Sequence, residues 1–341
     1  IAPYLVAGTN VIGVEVLFYG VGDGTWPAGK PGLLASAELT FDGGGRRTIA
    51  TDETWLAFLD RAHPPGHFKR WFLRALQEEF DARLHPYGWS EAAFAPDSRW
   101  IRAMVLNCPA DKPPASAGGP YSGDTIDRAD RAKTFLRRRE IPPVRETLAP
   151  TARLAESGTI EWLRDPNDWF ESRIPGSFRL ERKATAKPMG AGEWELPDNS
   201  WAIFEFPVQM VGFPRWTIDA AAGTVIEAMP QESHDPAKTA WLDTHHFSWT
   251  RLICREGVNQ FEEFDYESLR WLQLSIRNAA RPVRIRDVSI RRREYPWAYQ
   301  PDLRTSEPAV QQLFDAAVNT APVDGVGVVV ARIAAGFEIS L

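Results

Sequence analysis

The sequence predicts an all-β protein: two jelly-roll-like β-sandwich domains in tandem, followed by one short helix. Three observations carry this reading. Late in the chain, residues 261–297 form two β-rich runs joined across residues 278–282, where Asn278 and Pro282 supply turn chemistry. In the first run Leu272, Leu274 and Ile276 alternate with Gln273, Ser275 and Arg277, the period of two that gives a strand one dry face and one wet face. Upstream, short β-rich runs recur between Gly and Pro punctuation, as in a sandwich rather than in alternating strands and helices. Only residues 306–320 combine a helical period with both start and stop signals.

Residues 1–108 read as a first sandwich, incomplete at its start. Residues 10–19 (NVIGVEVLFY) are β-rich and nearly continuous in apolar character. Residues 33–41 and 46–51 flank Gly43, Gly44 and Gly45, a hairpin signal. Residues 52–59 lead into a polar, histidine-containing loop. Phe68, Trp71, Phe72, Ala75, Leu76 and Phe80 recur at helical spacing and predict a helix over 68–84. Residues 109–150 read as linker and loop, rich in Pro, Gly, Ser and Asp over 109–134 and ending in a solvated basic run at 137–139.

Residues 151–300 form the second sandwich. Its strands are expected at 177–182, 201–210, 215–220, 224–229 and 247–255, with the pair around the 278–282 turn closing it. Phe204, Phe206, Val208 and Met210 share one parity, and Pro207 on the other marks an edge or a bend. Gly212 and Pro214 separate one strand from the next, and Gly223 makes the following turn. In the last run Val283 and Ile285 fall on one parity, Val288 and Ile290 on the other. That slip near Asp287 predicts a bulge, since one extra residue exchanges the faces. Residues 301–341 hold the helix: Ser306 caps it, Pro308 suits its first turn, and Pro322 stops it. Val310, Leu313, Phe314 and Ala317 fall on one face. The apolar tail after it has no partner element.

The chain has 341 residues, 44% hydrophobic and 25% charged, ample for a buried core without disulfides or metals. A net charge of −6 argues against nucleic-acid partners, which require a basic face. No segment is long and apolar enough to span a bilayer. The chain begins at Ile1 without a signal peptide, so a targeting segment upstream would be invisible, and compartment and oligomeric state stay open. Cys108 and Cys254, far apart and outside any metal-binding spacing, read as free thiols. The 14 tryptophans suit both sandwich cores and sugar-stacking surfaces.

No cofactor or metal is expected, and no catalytic residue is assigned. Gly20, Gly22 and Gly24 lead into Thr25-Trp26-Pro27 instead of a helix, so a phosphate cradle lacks its helix dipole. His234, His245 and His246 read as surface or loop histidines, because adjacent strand residues face opposite ways. Glu78 with Glu79, Asp124 with Asp127 and Glu262 with Glu263 are the carboxylate pairs; a glycosidase needs two such groups facing one bond, whereas neighbouring acids are more often solvated. No Ser/His/Asp arrangement has a recognisable spacing. Tyr19 and Trp26, in or beside the Gly-rich loop, are the carbohydrate-binding candidates: an aromatic face stacks a sugar without a catalytic acid. Packing of loop against sandwich would use the same rings.

Several stretches together resemble the bacterial α-L-rhamnosidases. Residues 1–19 are similar to a strand of that family's first sandwich. Glu79-Phe80-Asp81-Ala82-Arg83, then Gly88-Trp89 and Asp97-Ser98-Arg99-Trp100, look like its acidic-aromatic motif and paired tryptophans. Residues 136–146 resemble the joint between domains, Gly212-Phe213-Pro214, Gly223-Thr224 and 260–274 the second sandwich, and 295–320 the entry to a helical α/α barrel. The similarity covers about residues 1–320, and residues 321–341 do not match the segment that supplies the barrel's catalytic groups. The resemblance implies an accessory portion of an inverting glycosidase that releases terminal α-L-rhamnosides, with a rhamnose-containing glycoside as partner and this chain catalytically incomplete, truncated or frame-shifted after Thr320. A stand-alone carbohydrate-binding module and a structural piece without ligand are the other readings.

Overall fold

The computed structural model describes residues 2–16, 32–64, 78–105, 142–167, 176–190, 192–238, 250–264, 266–296 and 302–324. Strands β1 (Ser36–Thr40) and β2 (Arg46–Ala50) form the expected hairpin. Its turn closes through the Phe41 N–H on the Gly45 carbonyl at 2.9 Å, with Gly44 at φ 79°. Strand β3 (Leu56–Ala57) pairs with β5 (Ile101–Arg102). The strand expected over 10–19 is not formed in its described part, 10–16, which holds only an isolated bridge at Glu15. Asn10 explains the difference. Its side chain accepts from the Val6 N–H and donates to the Val6 and Gly8 carbonyls, so a local loop competes with a ladder.

The helix expected over 68–84 is corrected where it can be compared. Residues 65–77 lie outside the described residues, and Glu79–Asp81 is strand β4. Asp81 bonds the N–H and guanidinium of Arg83, which turns the chain after three residues. The strand exists because a sheet edge is there to receive it: β4 runs parallel to β13 (Thr250–Ile253).

That sheet is built from β4, β6 (Arg145–Leu148), β7 (Arg153–Trp162), β8 (Phe178–Arg182), β9 (Lys187–Gly190), β10 (Glu193–Leu196), β11 (Ser200–Ala220), β12 (Val225–Gln231), β13, β14 (Gly257–Glu262), β15 (Glu267–Arg277) and β16 (Val283–Glu294). Strand β11 organises it. The two strands expected at 201–210 and 215–220 are one strand of 21 residues, because Gly212 and Pro214 continue the ladder instead of ending it. Up to Gly212 it pairs with β15, and its first residues also pair with β7; from Gly212 onwards it pairs with β16 and β14. It therefore passes from one layer into the other. The pairing shifts between Glu205 and Met210, around Pro207, where a bend was expected.

The closing pair is corrected too. β15 and β16 do not pair with each other; each pairs with its own part of β11, and the turn at Asn278 (φ 59°) carries the chain across the sandwich. The bulge near Asp287 is present: Thr217 faces Asp287 and Ile218 faces Ile285. It rephases the strand so that Val283, Ile285, Val288 and Ile290 are all buried.

The core lies between the layers. Ala202, Phe204, Ile226, Leu252, Leu272, Leu274 and Ile276 from one meet Leu196, Trp216, Ile218, Phe261, Val283, Ile285 and Ile290 from the other. The face of β15 expected to be wet is buried as well: Gln273, Ser275 and Arg277 are all sequestered. A second apolar cluster of Ile160, Trp201, Ile203, Met229 and Trp271, joined by Trp162 and Phe178, covers that side of the layer.

Helix α1 (Pro308–Asp324) packs against β11 and β16. Thr305, not Ser306, supplies the hydroxyl at its start, accepting from the Glu307 N–H at 3.1 Å. The helix also continues through Pro322, which removes one backbone donor without ending the last turn. Asn319 anchors it, accepting from Arg292 and donating to the Gln209 carbonyl. Val310 and Leu313, on the apolar face read from the sequence, are exposed. No helix among the described residues is long and apolar enough to cross a membrane.

Candidate functional site

Carboxylates on the sandwich strands are held between basic side chains from neighbouring strands. Glu227, on β12, accepts from Arg251 at 3.1 Å and Arg277 at 3.3 Å, and all three are buried. Glu205 is clamped by Arg153 and Arg270, and Asp219 by Arg281 and Arg286. Glu262 lies between Arg215 and Arg291, Glu294 between Arg145 and Arg292. A carboxylate enclosed in this way ties strands together and has little lone-pair capacity left for a reacting bond. For Asp219 the hydrogen bond from Arg281 holds the carboxyl below the usual aspartate range.

A different cluster forms where β4 docks. Phe80 enters the core and packs on Phe261, ring centroids 5.4 Å apart. His63 and His85 flank its ring at 4.7 Å and 5.4 Å. His85 Nδ1 bonds Asp60 Oδ2 at 2.6 Å. His63 turns Nε2 to Glu78 Oε1 at 3.6 Å and Nδ1 to Glu15 Oε1 at 4.0 Å. The second Glu78 oxygen accepts from the Phe264 N–H at 2.6 Å. Donor atoms of Glu15, Asp60 and His63 lie within 4.8 Å of one another. Both ring nitrogens of His63 face carboxylates, the arrangement of an ion-pair node when the ring is protonated. Burial pulls the His63 pKa down, but Glu78, Glu15 and Asp60 outweigh it and raise it above 6.5. For Asp60, burial acts upwards and is outweighed by the hydrogen bonds from His85 and the Ala62 N–H, leaving it low.

The structure treats the sequence candidates unequally. Tyr19 and Trp26, the carbohydrate-binding candidates, lie outside the described residues, as do His245, His246, Asp124, Asp127 and Gly20 to Gly24. His234, read as a surface or loop histidine, lies in a loop, but its side chain is 1% exposed and bonds Glu156 at 2.6 Å, with Trp271 edge-on at 5.2 Å. Nor are the described acid pairs simply solvated. Glu78 serves the histidine node, Glu79 pairs with Arg251, Glu262 with Arg291, and Glu263 is buried. Sequence reasoning missed the node itself. Its signal was thin: Asp60 and His63 in the polar loop, and Glu78 beside β4.

Residues 1–147 match the family model described as the alpha-L-rhamnosidase N-terminal domain. The match covers under half of the chain's 341 residues. Among solved structures, the α-L-rhamnosidase of Streptomyces avermitilis, complexed with L-rhamnose, aligns over 87% of this chain and 23% of its own, at 16% identity and a TM-score of 0.51. That alignment supports the sandwich fold. The family 78 rhamnosidase of Bacillus sp. GL1 is 26% identical over 38% of this chain and 14% of its own, with a TM-score of 0.33. The enzyme from Aspergillus terreus is 17% identical over 82% of this chain and 25% of its own, with a TM-score of 0.45. The chain thus spans well under half the length of each rhamnosidase. No curated protein matches it.

Proposed function

We propose that this chain is the accessory β-sandwich portion of an α-L-rhamnosidase-like glycoside hydrolase. The family match over residues 1–147 carries the reading, and the clamped carboxylates support it. In the parent activity a terminal α-L-rhamnoside is hydrolysed with inversion: one carboxylic acid protonates the leaving oxygen and a second carboxylate activates water. That geometry needs two acids facing one bond with room for water. Glu205, Asp219, Glu227, Glu262 and Glu294 instead face guanidinium groups. The chain's contribution is therefore scaffolding, together with contact to a rhamnose-containing glycoside through Tyr19 and Trp26.

The two parts of the proposal are tested separately. Release of nitrophenol from p-nitrophenyl α-L-rhamnoside by this chain is expected to stay at the background rate, and sustained turnover would overturn the accessory reading. Titration with L-rhamnose is expected to change the intrinsic tryptophan emission saturably, with Tyr19→Ala and Trp26→Ala each weakening the response. A response untouched by both substitutions would remove the two residues from the site.

A further inference from the structure

We propose that His63 is a proton-dependent latch, holding the N-terminal unit on the sandwich while it is protonated and loosening that contact when it loses its proton. Strand β4 is an added edge strand, three residues long and parallel to β13, so its own ladder is short. Beyond that ladder it is held by the Glu79–Arg251 ion pair, by Phe80 in the core and by the groups around that ring. His63 covers the outer side of Phe80 and draws together three separate stretches of chain: Glu15 near the start, Asp60 in its own loop, and Glu78 beside β4. Glu78 in turn reaches the sandwich, where its side chain accepts from the Phe264 N–H and its carbonyl from the Arg251 N–H at 2.9 Å.

The charges facing His63 are thus three carboxylates: Glu78 and Glu15 on its two nitrogens, with Asp60 beside them. From the sandwich side the neighbours of the node are the Phe261 ring and the Phe264 amide. The Arg251 guanidinium is bonded to Glu79 and Glu227, and Arg255 lies 3.7 Å over the Tyr87 ring. His85, on the other side of Phe80, is bonded to Asp60. With His63 protonated, one cation offsets the acids converging on it. With His63 neutral, the acids face each other half-buried, and like charges at this range repel.

The folded His63 pKa lies above its ordinary value, so the latch is fully closed below about pH 6.5. It opens as pH rises through the raised folded value.

The test uses the whole chain. His63 is titrated by NMR, its ring signals assigned by loss in His63→Gln, and amide exchange is followed at Asp81 and Ala82. The Ala82 N–H bonds the Ile253 carbonyl across the junction, and the Asp81 N–H bonds the Ala62 carbonyl beside His63. The expected result is a His63 pKa above 6.5 and a loss of protection at these two amides, beyond the intrinsic rise of exchange with pH, centred on that pKa. The size expected is about tenfold for each pH unit by which the histidine exceeds its ordinary value. Glu78→Gln should move both transitions together to lower pH. A His63 pKa at or below 6.5, or protection in the parent that does not change across its titration, would overturn the proposal. Either readout is taken on the unmodified chain, so it does not depend on a variant folding.

Discussion

Gly212 lies against the backbone of Arg291 so closely that a methyl group built on its Cα would stand 2.1 Å from the Arg291 carbonyl oxygen. The contact is at the point where β11 leaves one layer for the other, with Gly212 paired to Glu267 on one side and Arg292 on the other. No flexible side chain can yield there, since the obstructing atoms belong to the main chain of β16. Gly212→Ala is expected to destabilise the fold by about 2–4 kcal/mol, the range of severe overpacking and backbone displacement. Urea unfolding followed by tryptophan emission measures it, and a substitution within error of the parent would show that the corner is looser than described.

Glu227 gives the second prediction. It is buried between Arg251 and Arg277, themselves buried. Glu227→Ala leaves both guanidiniums without this carboxylate, and breaking a buried pair from one side costs about 3–5 kcal/mol. Exposed Glu38, facing Arg46 on the hairpin, is the control: Glu38→Ala should leave the unfolding midpoint where it was.

Much of this architecture was legible because a strand's side-chain period is rigid. The alternation of Leu272, Leu274 and Ile276, the slip at Asp287, the bend at Pro207 and the Gly43 to Gly45 hairpin all follow from local rules. What could not be read was which strand each one pairs with. A five-residue turn between β15 and β16 suits a hairpin equally well, and only the length of β11 places its ends in different layers. The burial of Gln273 and Arg277 was hidden for a related reason: the cover, Trp201, Ile160 and Met229, comes from three other strands. The helical spacing around Phe80 misled because edge pairing overrides propensity in so short a segment. The candidate site suffered most. His63, Glu15 and Glu78 meet only through tertiary contact, and no spacing rule joins residues 15, 63 and 78.

Asp219 predicts an acid limb. Its carboxyl is held low by the hydrogen bond from Arg281, assisted by Arg286. A depressed folded pKa contributes stability that is present above the ordinary value of 3.8 and is lost as pH falls through the lowered one. Asp219→Asn should therefore be less stable than the parent at neutral pH and converge with it in acid. Thermal melts across that range measure the difference; parallel curves would remove Asp219 from the acid transition.

Cys254 offers a probe of opening. Burial pushes its thiol up to about 12, and it is fully enclosed in the core. At pH 8 it should resist a disulfide reagent in the native chain and react once urea unfolds it. Mass spectrometry of the peptide carrying Cys254 reports this separately from Cys108. Rapid native labelling would mean that the end of β13 opens far more readily than its burial implies.

The docking of β4 on β13 also bears on how the molecule avoids sticking to its neighbours. A sandwich produced without residues 78–89 would present the backbone of Thr250–Ile253 bare to solvent, an unguarded rim able to recruit a strand from any other molecule. Seen this way, the short Glu79–Asp81 segment acts as a selvedge that keeps the fabric from fraying into aggregates.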